Sequence, residues 1–264
     1  MEFISTNNME QAILTITSAI FISSAAAYLG TLMLSRKMSV ITDPLAHLAF
    51  PGVTLALILG IEISFGIFPF IIIGALLIWL LEKRTKLPFE NLSAVIFAIG
   101  VGTALVFLPI EKAEEALVGV IDNITLSETL FITLTSLTSI VLTRKIYSKI
   151  MLINIDEELA TAEKINVSKY NLIYLLNIAL VIGLGVYLVG GLITAALVAI
   201  PAATSRNLSK NLSSYQTMSV IFGILSSITG ITTAHLTNLP TGPMIIVANA
   251  ILFILSLAFS RKRS

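Results

Sequence analysis

An aspartate and a histidine stand four residues apart inside Met38 to Gly60, an apolar stretch long enough to cross a bilayer. Asp43 and His47 both lie in its first half. A charged side chain near the centre of a membrane span costs roughly 2.5–3.5 kcal/mol on insertion scales, so this pair requires a function. Residues four apart on an α-helix share one face. A carboxylate and an imidazole on one face supply half of a divalent-metal site.

The composition predicts the elements that must position this pair. The chain of 264 residues is 56% hydrophobic and only 12% charged, whereas about 25% of the residues in a soluble domain are charged. Repeated apolar runs of about 20 residues are typical of membrane-spanning helices. We therefore predict an all-α, polytopic transmembrane helical bundle that forms a single domain over residues 1–264 and sits in the lipid of the cell membrane.

The predicted spans number eight or nine. They cover residues 12–34, 38–60, 65–81, 91–109, 129–148, 171–189, 191–205, 215–235 and 242–260. Gly190 and Gly191 separate the sixth apolar run from the seventh, which is short. The seventh run is therefore expected to form either a full span or a half-helix or re-entrant element.

The positions of the basic residues predict the orientation of the bundle. With nine alternating spans, every one of the 16 Lys and Arg residues except Lys112 lies on the same side of the membrane. The positive-inside rule assigns that side to the cytoplasm. The C-terminus is thus expected in the cytoplasm and the N-terminus outside.

The outer side is expected to carry an acidic segment, residues 111–128. This segment would attract a free cation, orient a delivering protein, or simply be solvated. Thr125 or Ser127 can cap the helix that follows it. Glu62 and His235 also fall on the outer side, where we expect a solvated carboxylate and an interfacial histidine, with an entry ligand as the alternative for His235.

A short amphipathic helix is predicted on the cytoplasmic side between the fifth and sixth spans. Asn154 or Asp156 can serve as its N-cap, and Glu157 and Glu158 in its first turn interact favourably with the helix dipole. Its apolar residues recur at spacings of three, at Leu159, Ala162 and Ile165. Because lipid-surface helices usually carry Lys and Arg on their polar face, this acidic helix is expected to dock on a protein.

The sequence also excludes several functions. It contains no cysteine, which rules out disulfides, thiolate metal ligands and cysteine nucleophiles. It contains no GxxxxGK[ST] phosphate loop, so it cannot hydrolyse ATP by that route. With only two histidines and no recognisable catalytic motif, the chain is not expected to be an enzyme, and no nucleic-acid partner is predicted.

A kink is predicted close to His47. Pro51 follows four residues later and has no N–H group to donate to the His47 carbonyl, so a helical hydrogen bond is missing there. A bend at this point would separate the ionisable half of the span from its outer half and would act as a gate. The residues expected to contribute to gating or close packing are Pro51, Gly52, Gly190, Gly191 and Pro201.

Four sequence blocks together resemble the integral-membrane permeases of divalent-metal ABC importers. These blocks are RKMSVITDPLAHLAFPGVTLALILG at 36–60, NIDEELATA at 154–162, GGLITAALVAIPAATSR at 190–206 and LPTGP at 239–243. They occur in the order found in that family, and the resemblance extends over nearly the whole chain. Three positions depart from the family pattern, which often has serine at Ala46, a small residue at Pro44 and glycine at Lys164.

The resemblance implies a subunit that works only in a complex. Two copies would face each other across the pathway, and each would contribute Asp43 and His47 to a site for manganese, zinc or iron(II), the transported substrate rather than a permanently bound cofactor. A cytoplasmic ATPase pair would dock on the short helix through Asp156, Glu157, Glu158, Leu159 and Ala160. An extracellular metal-binding protein would deliver the ion. The residues do not choose among the three metals.

Three alternatives remain open from the sequence. Asp43 and His47 can form an intrahelical pair with a structural or proton-relay role. The chain can then be a secondary carrier, driven by an ion gradient, that uses Asp43 as its proton site. It can also be a membrane scaffold protein that transports nothing, in which case neutralising either residue would leave its function intact.

Overall fold

The computed structural model describes residues 6–36, 38–107, 124–237 and 239–259. These residues form eleven α-helices and one 3-10 helix, Ser39–Ile41. In chain order, the helices are α1 (Thr6–Ser35), α2 (Thr42–His47), α3 (Ala49–Leu59), α4 (Ile63–Thr85), α5 (Phe89–Phe107), α6 (Leu126–Ile155), α7 (Glu157–Ala162), α8 (Val167–Val189), α9 (Gly191–Leu208), α10 (Leu212–Thr237) and α11 (Thr241–Ala258).

The helical, polytopic architecture predicted from the composition is confirmed. Within the described residues, seven segments are long and apolar enough to cross a membrane, and α2 and α3 together make one of them. A shorter apolar helix covers Phe89–Thr103 within α5. The α9 helix runs for 18 residues without interruption at Pro201, so the run after Gly190 is one continuous helix, although it is not among the seven segments.

The α1 helix lies at the centre of the bundle, where it packs against α6, α9 and α10. Its small residues permit close approach, since a Cβ atom added at Gly30 would collide with the Val198 carbonyl of α9. Hydroxyl groups join α1 to α10: Ser219 Oγ donates to the Ala27 carbonyl over 2.8 Å, and the Ser23 and Ser227 hydroxyls share a short hydrogen bond. Small residues and interhelical hydrogen bonds of this kind hold helices together in lipid.

Arg36 joins the end of α1, just before the Asp43–His47 segment, to α8. Its Nη1 donates to Asn171 Oδ1 over 3.2 Å, and the guanidinium lies 5.4 Å from the centre of the Tyr174 ring. Burial lowers the pKa of this guanidinium, and the ring face and the amide oxygen offset part of its desolvation. Asn154 at the end of α6 adds a second tie by donating from Nδ2 to the Ser35 carbonyl over 3.2 Å.

Candidate functional site

The helix that carries Asp43 and His47 is broken immediately after the histidine. The α2 helix ends at His47 and α3 begins at Ala49. The Leu48 N–H group is shared between the Pro44 carbonyl at 3.3 Å and the Leu45 carbonyl at 3.2 Å. Since Pro51 cannot donate to the His47 carbonyl, the break falls where the missing hydrogen bond predicts a kink. The role of this break as a gate stays a prediction.

Asp43 and His47 lie on one face of α2, and the histidine is anchored to its own helix. His47 Nδ1 is 2.8 Å from the Asp43 main-chain oxygen and 3.6 Å from the Asp43 carboxylate Oδ1. A carbonyl oxygen only accepts, so Nδ1 carries the proton and the Nε2 lone pair of a neutral ring is left for another partner. Metal-binding histidines are held in the same way, with the second ring nitrogen bonded to a carbonyl or carboxylate.

Two aromatic rings complete the setting of His47. Phe50 on α3 and Phe97 on α5 each place their ring centre 5.1 Å from that of the imidazole, with an interplanar angle of 85°. The His47 side chain is consequently 16% exposed, whereas the Asp43 side chain is 54% exposed. The imidazole is thus held in one orientation, and the carboxylate beside it is exposed on the surface of the chain.

By itself, this pair would supply only part of a coordination shell for a metal ion. Among the described residues, no group of three or more His, Asp or Glu side chains is close enough to hold a metal ion. Structural and transport sites for transition metals usually need four or more ligands. Glu62 accepts a hydrogen bond from Ser64 Oγ over 2.9 Å, and His235 is exposed in the last turn of α10.

The start of α6 resolves one alternative from the sequence. Thr125 rather than Ser127 is the N-cap, and it forms a capping box with Glu128. The Thr125 N–H donates to Glu128 Oε2 over 2.7 Å, and Tyr187 of α8 donates its hydroxyl proton to Glu128 Oε1. The Glu128 carboxylate therefore caps the start of α6 and bonds it to α8. Residues 108–123, which include most of the acidic segment, lie outside the described residues.

Four of the residues expected to gate or pack lie on α3, at the junction of α8 and α9, and inside α9. Gly52 lies where α3 crosses α4, and a Cβ there would collide with the Gly66 carbonyl. Gly190 separates α8 from α9 with φ of 94° and ψ of 158°. Residues with a Cβ atom rarely adopt this conformation, whereas glycine does so readily. Gly191 lies beside the break, with a Cβ position 3.7 Å from the Ala46 carbonyl. Pro201 lies inside α9.

The short cytoplasmic helix predicted from the sequence is α7. Of the two candidate caps, Asp156 is the one used: its Oδ1 accepts from the Leu159 N–H over 2.9 Å. Ala160 is fully buried against the bundle, whereas Leu159 is 48% exposed. Glu157 and Glu158 are also exposed. The helix thus turns an acidic and apolar surface outward.

The profile of the ABC 3 transport family matches residues 5–260. The chain belongs to this family. It is therefore a multi-pass membrane component of a transport system, and the expectation that it is not an enzyme is confirmed.

Individual relatives of this ABC 3 family member cover nearly its whole length. It is 30% identical over 253 residues to the "High-affinity zinc uptake system membrane protein ZnuB" of Haemophilus influenzae, covering 93% of this chain and 96% of the relative. It is 23% identical to the "Manganese import system permease protein ScaB" of Streptococcus parasanguinis, covering 97% and 91%. The solved structure described as "PsaBC from Streptococcus pneumoniae in complex with Fab" superposes with a TM-score of 0.81 at 21% identity, covering 94% and 91%, and so shares the fold.

One departure from the family pattern now has a structural consequence. Lys164 follows α7 with φ of 59°. The Ile165 N–H bonds to the Ala160 carbonyl and the Lys164 N–H to the Thr161 carbonyl, both over 3.0 Å. These two bonds define a Schellman motif whose left-handed position favours glycine. This family member therefore carries a lysine in a conformation that is unfavourable for a residue with a Cβ atom.

Replacing Lys164 by glycine is expected to stabilise the protein by about 1 kcal/mol, because the strain of the left-handed conformation is relieved. The measurement is the apparent melting temperature of the detergent-purified protein, with transport as a second readout that should not change. Lys169→Gly is the matched control, since Lys169 lies in the first turns of α8 and glycine destabilises a helix. A lower melting temperature for Lys164→Gly would contradict this explanation.

Four further residues surround the broken helix, and no sequence motif marks them: Leu48, Phe97, Gly74 and Gly100. Phe97 contacts the imidazole, and the two glycines contact Leu48. The only signal available in the sequence was that Gly74 and Gly100 interrupt predicted spans without marking their ends. That signal does not reveal which side chain packs against each glycine, because that side chain lies on another helix.

Proposed function

We propose that this protein is the permease subunit of an ATP-driven importer that carries a divalent transition-metal ion into the cytoplasm, with Asp43 and His47 as its ligands in the pathway. The observation that carries the proposal is the anchored imidazole: its Nδ1 is bonded to the Asp43 carbonyl and lies 3.6 Å from the Asp43 carboxylate, which leaves the Nε2 lone pair as the metal donor. A mixed oxygen and nitrogen donor set suits zinc, manganese or iron(II). Relatives that take up zinc and manganese support the same substrate class.

A second copy of the chain is the simplest completion of the site. Asp43 is 54% exposed in the first turn of a segment that has the length and hydropathy of a span, and a carboxylate there would be costly if it faced lipid. A two-fold related copy would cover it and would double the ligands to two carboxylates and two imidazoles. An isologous contact brings the same residues of both copies together, as such a site requires.

The energy would come from ATPase subunits that dock on α7. The exposed Leu159 and the acids beside it offer both apolar area and charge to a partner. Because the Lys and Arg residues concentrate on this side, the positive-inside rule favours a cytoplasmic α7 and C-terminus and an external N-terminus. An extracellular metal-binding protein would supply the ion from the opposite face.

The proposal is tested by measuring uptake of radioactive zinc and manganese into cells that lack their own importers for these metals and express the permease with its ATPase. Uptake is expected for at least one metal and should stop when the phosphate-loop lysine of the ATPase is replaced, with the proton gradient intact. Uptake that survives this replacement would instead support a gradient-driven carrier. The absence of uptake of zinc, manganese and iron(II) alike would overturn the proposal.

A further inference from the structure

The residue at the helix break, Leu48, is held in a notch that two glycines form. Its side chain is only 6% exposed. A Cβ atom added at Gly74 of α4 would collide with Leu48 Cδ1, and one added at Gly100 of α5 would lie 2.5 Å from Leu48 Cδ2. Each methyl group of the leucine therefore rests directly over one glycine.

The two glycines are used for the space they leave rather than for their backbone freedom. Neither has a positive φ, so their conformations are open to any residue. Glycine inside a helix destabilises it by roughly 0.5–1 kcal/mol relative to alanine, so retaining it here needs another reason. Gly102, also on α5, would meet nothing within 4 Å if a Cβ were added.

The notch acts on the same half-helix that carries the proposed metal ligands. Leu48 directly follows His47, and its N–H group closes the last turn of α2. Leu45, on the preceding turn of α2, also faces Gly74, with its Cδ2 3.8 Å from the Cβ position. The α5 helix that provides Gly100 also provides Phe97, which contacts the imidazole. A displacement of Leu48 therefore moves the backbone that holds Asp43 and His47.

We propose that Leu48, seated between Gly74 and Gly100, is the positioning residue of the metal-binding pair. Each methyl group of Leu48 packs on one glycine. A rotation of the leucine that relieves a clash at one glycine therefore also displaces the methyl group that packs on the other. The notch thus sets the direction in which α2 enters the break and with it the separation of ligands contributed by two copies. This inference rests on the proposed function, because it concerns the geometry of that same site.

The test replaces the two glycines by alanine in the complete permease and ATPase complex, reconstituted into vesicles. Gly74→Ala and Gly100→Ala are each expected to raise the KM for zinc or manganese uptake at least tenfold and to change the ratio of the two KM values. The matched control, Gly102→Ala, should leave both KM values within twofold of the original. The KM ratio is informative because a loss of folded protein lowers the maximal rate without altering it.

A double-mutant cycle identifies Leu48 as the mediator and remains usable if an alanine variant folds poorly. Leu48→Ala introduces no clash, and it should itself raise the KM at least tenfold. In that background, Gly74→Ala has no methyl group to displace and should have less than a twofold further effect. An equal effect of Gly74→Ala with and without Leu48 would overturn the inference, as would unchanged KM values in Gly74→Ala, Gly100→Ala and Leu48→Ala.

Failure of this inference is distinguishable from failure of the proposed function. If Asp43→Ala and His47→Ala abolish uptake while the notch variants transport with the original KM values, only the positioning role is wrong. If the Asp43 and His47 variants themselves transport normally, the metal site is wrong, and the positioning inference falls with it.

Discussion

Metal uptake is expected to fall more than about 100-fold when His47 is replaced by alanine, and similarly when Asp43 is replaced by asparagine or alanine. Loss of a group that only supports a metal ligand typically costs 10–100-fold in affinity or activity, so loss of a ligand should cost at least as much. In a two-copy site each substitution removes two ligands. Asp43→Asn keeps the volume of the side chain and removes only its charge, which separates coordination from packing.

The chain offers matched controls for both residues. Glu62→Gln neutralises an exposed carboxylate in the turn between α3 and α4, and His235→Ala removes the second histidine of the sequence. Both should transport at close to the original rate. The measurements are uptake of zinc and manganese, the amount of permease in the membrane and its co-purification with the ATPase. If the Asp43 and His47 variants both took up metal at the rate of the unsubstituted protein, the assignment of the site would be wrong.

Substitutions at Glu158 or Leu159 are expected to uncouple the permease from its ATPase. Both side chains are exposed on α7, so Glu158→Lys and Leu159→Ser should leave folding and insertion intact while removing charge or apolar area from the docking surface. We expect uptake to fall at least tenfold, which corresponds to about 1.4 kcal/mol of lost interaction. Co-purification of the ATPase and metal-stimulated ATP hydrolysis should fall in parallel.

Two further variants make this test specific to the docking surface. Glu163→Gln changes an exposed acid just beyond the end of α7 and should have little effect. Ala160→Leu enlarges a fully buried residue of the same helix and should instead destabilise the permease, because overpacking a buried position typically costs 1–3 kcal/mol. Normal co-purification and ATP hydrolysis in the Glu158 and Leu159 variants would contradict the coupling role.

The features that the sequence predicted correctly depend on interactions within one turn or one span. Apolar runs marked the helices, and the missing N–H group of Pro51 marked the break beside His47. Asp156 was one of two candidate caps, because a carboxylate can accept from an N–H group three residues later in the chain. The pairing of Asp43 with His47 followed from helical spacing alone. In each case the interacting atoms are separated by few residues, so the order of residues is enough.

Contacts between helices were decided only by the tertiary structure. The seat of Leu48 between Gly74 and Gly100, and the contact of Phe97 with the imidazole, join segments about 25 to 50 residues apart, and nothing local identifies their partners. The same holds for α7, where spacing indicated an amphipathic helix but packing decided that Ala160 faces inward and Leu159 outward. The sequence by itself thus determined the helices, the break and the placing of a carboxylate and an imidazole on one helix face. The packing of α4 and α5 around α2 decided how those two side chains are held, because van der Waals complementarity between distant helices exists only after they meet.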